Sequence, residues 1–553
     1  MSRRRRGARR ALRLDELHAI VERAGAGPLS VAECATLLAA VETLAVLTRE
    51  LEAKGASIQR LRRLLFGPRT ETTRRVLGEP PPSPADAPAA ATAAGRPDAA
   101  PARGDDASPP TGHGRNGAAA YRGAARVRVP HGALQHGARC PECARGKVYT
   151  QPTPEVLVRV VGMAPLRATR YELERLRCNA CGEVFAAAAP PGVGPKKYDE
   201  TAASMVGLLK YGCGLPFHRL ERLQRDLGIP LPAATQWELV RDAAVLLAPA
   251  YDALVHQAAQ GEVVHNDDTT MTILALTGPP PADDAAAGAA ARTGVYTTGI
   301  VATTDGQRIA LFFTGRQHAG ENLAAVLAQR AAERPRPIQM CDALAANTAG
   351  PFDTIVANCL AHARRQFVDA APHFPDACRS VLETLREVYR TDTAARDQQL
   401  SPAARLRLHQ VESGPRMEAL DQWLRAQVEA RTVEPHSGLG EAIAYMHKHW
   451  AKLTLFLREP GAPLDNNLCE RALKKAILHR KNALFYKTEN GARVGDLFMS
   501  LIHTAELCGA DPFDFLVALQ RHPEAVAAHP EQWLPWNYRA ALAARRPDPD
   551  DSS

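Results

Sequence analysis

The chain has no run of about 18 apolar residues, the length a membrane-crossing helix needs. Its opening stretch, MSRRRRGARR, lacks the apolar core of a secretory signal. A membrane or secreted protein is therefore not expected; the reading is a cytoplasmic protein. Aromatic residues make up only 5% of the chain, so the 45% hydrophobic content that suffices for real cores is mostly aliphatic. A disulfide framework is absent too. Of 11 cysteines, Cys34, Cys213, Cys341, Cys359, Cys378, Cys469 and Cys508 stand singly. The other four form two C-x-x-C pairs, which in a cytosolic chain point to metal.

At 553 residues the chain is too long for one ordinary domain. Its net charge of +8 suits a polyanion such as DNA. Residues 1–29 form a basic arm, fit for phosphates or simply solvated. Residues 30–77 are leucine-rich. Leu37, Leu44, Leu47, Leu51, Ile58, Leu61 and Leu65 recur at steps that suit a helical hairpin or short coiled coil. Such a helix serves self-association, giving a homo-oligomer, or packs on the body of its own chain. Residues 78–124 collapse to Pro, Ala, Gly, Asp and Ser, a composition unable to bury a core, and read as a disordered linker.

Residues 125–195 carry Cys140 and Cys143 in CPEC, then Cys178 and Cys181 in CNACG, with β-like segments between. Two such knuckles meeting in space give a tetrahedral four-sulfur site for structural Zn²⁺. Each knuckle is expected to end a β-hairpin, as in a zinc ribbon. Residues 196–255 read as helices joined by a Gly-containing turn, a helix-turn-helix candidate that would present Gln236 and Arg241 to a DNA groove.

Residues 256–505 hold a carboxylate core. Asp267 and Asp268 sit mid-strand in VVHNDDTTMTIL and, by strand alternation, point to opposite faces, so only one can join a common site. A hairpin turns at Asp305-Gly306. A helix follows, then a strand ending in Asp342, read as a site residue or as a loop-capping aspartate. The order strand, strand, strand, helix, strand, helix is that of a ribonuclease H-like α/β fold, in which the first strand and the strand after the helix are neighbours. Asp267 and Asp342 would then face each other. Residues of about 375–450 read as an all-α insertion. Asp465 and Asn466 suit a helix N-cap, and Glu470 sits in the first turn of a helix otherwise crowded with cations. Glu470 is either paired structurally or held as a metal ligand. Carboxylates are the donors Mg²⁺ or Mn²⁺ prefers. Residues 506–553 form a helical region and tail.

Taken together, FGPRT at 66–70, CPEC and CNACG, KYGCGLPFHRLERL at 210–223, HNDDT at 265–269, CDALAAN at 341–347, CLAHARRQF at 359–367, DNNLCERALKKAILHRKNALF at 465–485 and GDLFMSLIHTAELCGADPFDFL at 495–516 resemble a transposase of the insertion-sequence-66 family, a DDE-type group. The segment DNN-x-x-ER is the most specific part. Two positions depart from the family pattern: Asp267 is followed by Asp268 rather than Glu, and ALAAN replaces an aromatic-containing run. The resemblance implies a multidomain α+β protein with a DDE triad of Asp267, Asp342 and Glu470. It also implies cleavage and joining at terminal inverted repeats, and accessory proteins from the same element. In that reading His362, Arg364, Arg365, Arg471, Arg480, Lys481 and Asn482 line the path of DNA, although a solvated basic face has the same composition. The competing readings are a non-catalytic DNA-binding regulator and a metal-dependent nuclease that cuts without joining.

Overall fold

A computed structural model of the chain describes residues 14–38, 40–41, 133–143, 145–150, 165–177, 184–194, 196–277, 293–350 and 352–545. The first 13 residues of the basic arm, most of the leucine-rich segment, the Pro/Ala linker, Cys178, Cys181 and the last residues lie outside these. Among the described residues no helix is long and apolar enough to cross a membrane. The chain divides into two units, Pro82–Pro165 and the remainder.

Within Pro82–Pro165, CPEC closes a tight turn. The backbone N–H of Cys140 donates to Gly146 O at 2.8 Å, and Val148 N donates to Ala138 O at 2.8 Å. Backbone N–H groups of Gly146 and Arg145, with the Cys140 side chain, lower the Cys143 thiol below its usual range. Donors aimed at a sulfur favour its thiolate form.

The larger unit is built on a five-stranded sheet. Its strands are β1 (Val263–Thr270), β2 (Tyr296–Thr304), β3 (Gln307–Gly315), β4 (Ile338–Cys341) and β5 (Ile355–Asn358), in the order β3-β2-β1-β4-β5. β2 and β3 form a hairpin with Thr304 opposite Gln307. Asp305 (φ 48°) and Gly306 (φ 78°) make its two-residue turn in the left-handed region, where the Asp-Gly pair is at ease. β1 runs antiparallel to β2 and parallel to β4, the adjacency expected from the element order. A shorter antiparallel pair joins Arg175–Arg177 to Val184–Ala186, with Arg177 opposite Val184.

Helices cover the sheet in two groups. The first comprises α1 (Glu200–Gly207), α2 (Phe217–Asp226), α3 (Ala233–Ala259), α4 (Ala319–Leu327), α10 (Asn467–Ala483), α11 (Glu489–Leu507) and α12 (Pro512–Arg521). Val206, Leu220, Val240, Leu247, Ile300, Leu311, Leu473, Phe498 and Phe515 share one core. The second group is α5 (Leu360–Ala370), α6 (Pro375–Asp397), α7 (Pro402–Glu412), α8 (Gly414–Glu429) and α9 (Gly438–Leu453). Of these, α6 to α9 fall in the segment expected as an all-α insertion, and α5 precedes it. They bury Met340, Phe367, Leu385, Leu424 and Met446 in a separate core against β4 and β5.

The helix-turn-helix expectation needs revision at one residue. α3 does not stop at the length of a recognition helix but runs 27 residues to the edge of β1. Gln236 lies on its apolar stripe with Val240, Ala243 and Leu247, and is fully buried. Its Nε2 donates to Phe217 O at 3.0 Å and Leu231 O at 2.9 Å. Burial demands these partners, and they leave the side chain turned away from any groove. Arg241 is exposed and grips Asp242 at 2.8 Å.

The edge of the sheet at β3 is satisfied by a helix. Along α11, Asp496, Ser500 and Thr504 accept the outward N–H groups of Thr314, Phe312 and Ala310 at 2.6, 3.0 and 3.0 Å. Four helical residues advance about 6 Å and two strand residues about 6.8 Å, so the spacings nearly match.

Candidate active site

The geometry begins with strand register. His265 lies opposite Met340 in the parallel pair of β1 and β4. Asp267 and Asp342 each stand two residues further on, Asp267 within β1 past its pairing with β4 and Asp342 just beyond the carboxyl end of β4. Open α/β sheets take their ligands at such ends.

Asp267 and Asp268 diverge as alternation requires. Asp268 Oδ2 lies 2.9 Å from His318 Nδ1 and 3.4 Å from Ala319 N, at the start of α4. There the helix dipole and an imidazole satisfy it. Asp267 faces the other way, with Oδ1 accepting its neighbour's N–H at 2.8 Å. Burial pushes the Asp267 carboxyl up to about 7, and the charges of Asp342, Asp268 and Glu470 push in the same direction.

Asp342 is held from one side. Its Oδ1 accepts Leu344 N at 3.0 Å and Asn347 Nδ2 at 2.6 Å. Glu470 stands in the first turn of α10. Among the described residues its carboxylate makes no hydrogen bond; Oε1 lies 3.9 Å from His362 Nε2. The three acids thus come from the middle of one strand, the end of its neighbour and one helix start.

What carries α10 to the sheet is a set of buried polar residues that sequence reasoning passed over. Asn466 Oδ1 lies 3.1 Å from His265 Nδ1, and its Nδ2 donates to Asn266 O at 3.0 Å. Asn466 begins α10 as expected, but its side chain makes no capping bond to the helix. Asp465 Oδ1 instead accepts Asn467 N at 3.1 Å. Burial lowers His265 to about 4, which keeps the ring neutral. Asn266 Nδ2 and Gln339 Nε2 both donate to Asn347 O at 2.7 Å, bracing the residue that holds Asp342. The readable signal was His-Asn directly before the acids, following the apolar Val263 and Val264. Gly299, opposite Asp267, is where α10 crosses closest: a Cβ there would lie 2.9 Å from Leu473 Cγ. Cys469 Sγ donates to Gly299 O at 3.2 Å beside it.

The expected DNA-facing cations divide into two kinds. Arg471 and Lys481 are exposed on α10, and Arg365 is exposed on α5 beside half-buried Arg364. Arg480 is turned inward. Its Nη1 donates to Thr269 Oγ1 at 3.2 Å, to Thr270 Oγ1 at 2.6 Å and to Thr270 O. Asn482 Nδ2 donates to Gly214 O at 3.1 Å. These two tie α10 to neighbouring segments.

Residues 197–494 match a family model described as "Transposase IS66 family". Three similar proteins come from Sinorhizobium fredii (strain NBRC 101917 / NGR234), each named only as uncharacterized. y4jD is 34% identical over 34% of this chain and 36% of its own length. y4hP is 27% identical over 67% and 68%, and y4qI 27% over 62% of each. The chain thus spans about a third of the first relative and about two thirds of the other two.

Proposed function

Because the chain belongs to the IS66 family of transposases, we propose that it cleaves DNA at the terminal inverted repeats of its insertion sequence and joins the 3′ ends to target DNA, with Asp267, Asp342 and Glu470 as the catalytic acids. The observation that carries this reading is the buried Asp267, whose proton affinity is raised by burial and by both other acids. Three carboxylates near enough for the charges of Asp342 and Glu470 to act on Asp267, with no cation of the chain hydrogen-bonded to any of them among the described residues, support a divalent-metal reading. Their all-oxygen donor set suits Mg²⁺ or Mn²⁺. Bound there, two such ions would supply activation of the attacking oxygen and stabilisation of the leaving one.

The chain's own residues do the positioning. Asn347 fixes the orientation of Asp342, and Asn466 fixes the start of the helix that bears Glu470. Arg471, Lys481, Arg365 and Arg364 offer a basic surface for the phosphate backbone. The five-stranded order supports a ribonuclease H-like core, and the spacing of Cys140, Cys143, Cys178 and Cys181 supports structural zinc. Association of copies on DNA and accessory proteins of the same element belong to the same reading.

The test is a strand-transfer assay on labelled DNA carrying the flanking inverted repeat, with magnesium or manganese. Wild type should nick at the repeat end and join it to target, while Glu470→Gln binds without cutting. Binding by both with cutting by neither, even with the element's accessory proteins added, would overturn it.

A further inference from the structure

One group of side chains beside the three acids is not explained by them. Cys359, His362 and Glu470 each offer a ligand atom, and these atoms lie within 4.8 Å of one another. We infer that these three side chains form a binding site for one borderline divalent ion of the zinc class, distinct in donor chemistry from the carboxylate set with which it shares Glu470.

Two helix starts face each other here. Cys359 caps α5, with His362 in its first turn, and Glu470 lies in the first turn of α10. The Cys359 sulfur accepts the backbone N–H of Asn466, which heads α10, at 3.2 Å. Burial pushes the Cys359 thiol up to about 12, and the backbone N–H groups of Asn466 and His362 pull against it, so the charge of a bound ion is what draws off its proton. Zinc bonds of about 2.0–2.3 Å place tetrahedral ligands about 3.5 Å apart, so small side-chain rotations bring these atoms to an ion. The second observation is His362 itself: Nδ1 is buried with no hydrogen-bond partner, and Nε2 lies 3.9 Å from Glu470 Oε1, beyond hydrogen-bond distance. The sulfur is fully buried, while the side chains of His362 and Glu470 are 39% and 38% exposed. An ion therefore has an entry from solvent.

Donor type decides which ion. Thiolate and imidazole select zinc-like ions, and magnesium takes neither readily. An ion held here engages Glu470, so zinc opposes magnesium-dependent cleavage; that consequence, unlike the binding, rests on the proposed function.

The full-length protein, stripped by a mild chelator of all but its tightest-held zinc, is titrated with Co²⁺, without DNA. One equivalent should bind with a near-ultraviolet sulfur-to-cobalt band. Cys359→Ser should lose the band, while Cys508→Ser and Asp267→Asn keep it. His362→Gln, at a half-exposed position, provides a second variant in case Cys359→Ser misfolds. It should weaken Co²⁺ binding by more than the roughly 10- to 100-fold typical of losing an outer-shell partner. A band that survives in folded Cys359→Ser, or affinity unchanged in His362→Gln, overturns the site, as does the absence of any band in wild type. No readout involves strand cleavage, so failure of the transposase reading leaves this test standing.

Discussion

The ring Nδ1 of His265 and the amide oxygen of Asn466, 201 residues apart in sequence, lie 3.1 Å apart in the buried seam between β1 and α10. The same amide's nitrogen reaches Asn266 O, two bonds from one side chain. Glu470 sits one helical turn beyond this seam and Asp267 two residues beyond His265. Replacing Asn466 by Ala strands a buried imidazole and a buried carbonyl, at a cost of about 1–3 kcal/mol. We expect Asn466→Ala to lower the urea midpoint accordingly and to slow nicking at an unchanged DNA affinity. A rate equal to wild type would mean that the seam does not position Glu470.

Gly299 is small because Leu473 lies over it. Gly299→Ala overpacks the contact and should cost about 1–3 kcal/mol. Leu473→Ala alone opens a cavity costing about 2–5 kcal/mol. The double variant should be no less stable than Leu473→Ala, because the new methyl enters the space vacated. Additive losses in denaturant unfolding would contradict the close approach.

The basic residues of α10 should separate by salt dependence. Arg471→Ala and Lys481→Ala should each weaken DNA binding and reduce the slope of log affinity against log salt by about one. Arg480→Ala should leave the slope unchanged and lower thermal stability, because Arg480 is engaged with Thr269 and Thr270. A slope change for Arg480→Ala would return it to the DNA surface.

Burial pushes the Asp496 carboxyl from 3.8 up to about 7, so the folded state keeps a proton that the unfolded chain releases. The contribution of this group is full below about pH 4 and is lost as pH rises toward about 7. The protonated acid offers a donor to the Thr314 hydroxyl, 2.7 Å away, and an amide does the same. Asp496→Asn should therefore flatten that part of the profile. The stability difference, wild type minus variant, should fall by on the order of a few kcal/mol across this window. A difference that stays constant with pH would refute the buried proton.

Much of this arrangement was legible in local sequence. Asp305-Gly306 announced its hairpin because few residue pairs tolerate two consecutive positive φ angles. The alternation of β1 separated Asp267 from Asp268 before any coordinates. What escaped was long-range. Nothing local tells that Asn466 reaches His265, or that Asn347 turns back to Asp342, since an asparagine's partner is set by the packing of distant segments. Gln236 was misread because a polar residue near a helix start suggests a groove. Its spacing with Val240, Ala243 and Leu247 put it on the inner stripe all along. The role of Asp496, Ser500 and Thr504 escaped for the opposite reason: a period of four on a helix gives no hint that its partner is a strand edge.

That helix has a consequence for assembly. By occupying the outward N–H groups of Ala310, Phe312 and Thr314, α11 leaves β3 nothing to offer an incoming strand. Copies of this chain cannot join by extending the sheet on that side. On that side contact between copies has to be made through helical faces and loops, and destabilising α11 would uncover a sticky margin rather than merely loosen a core.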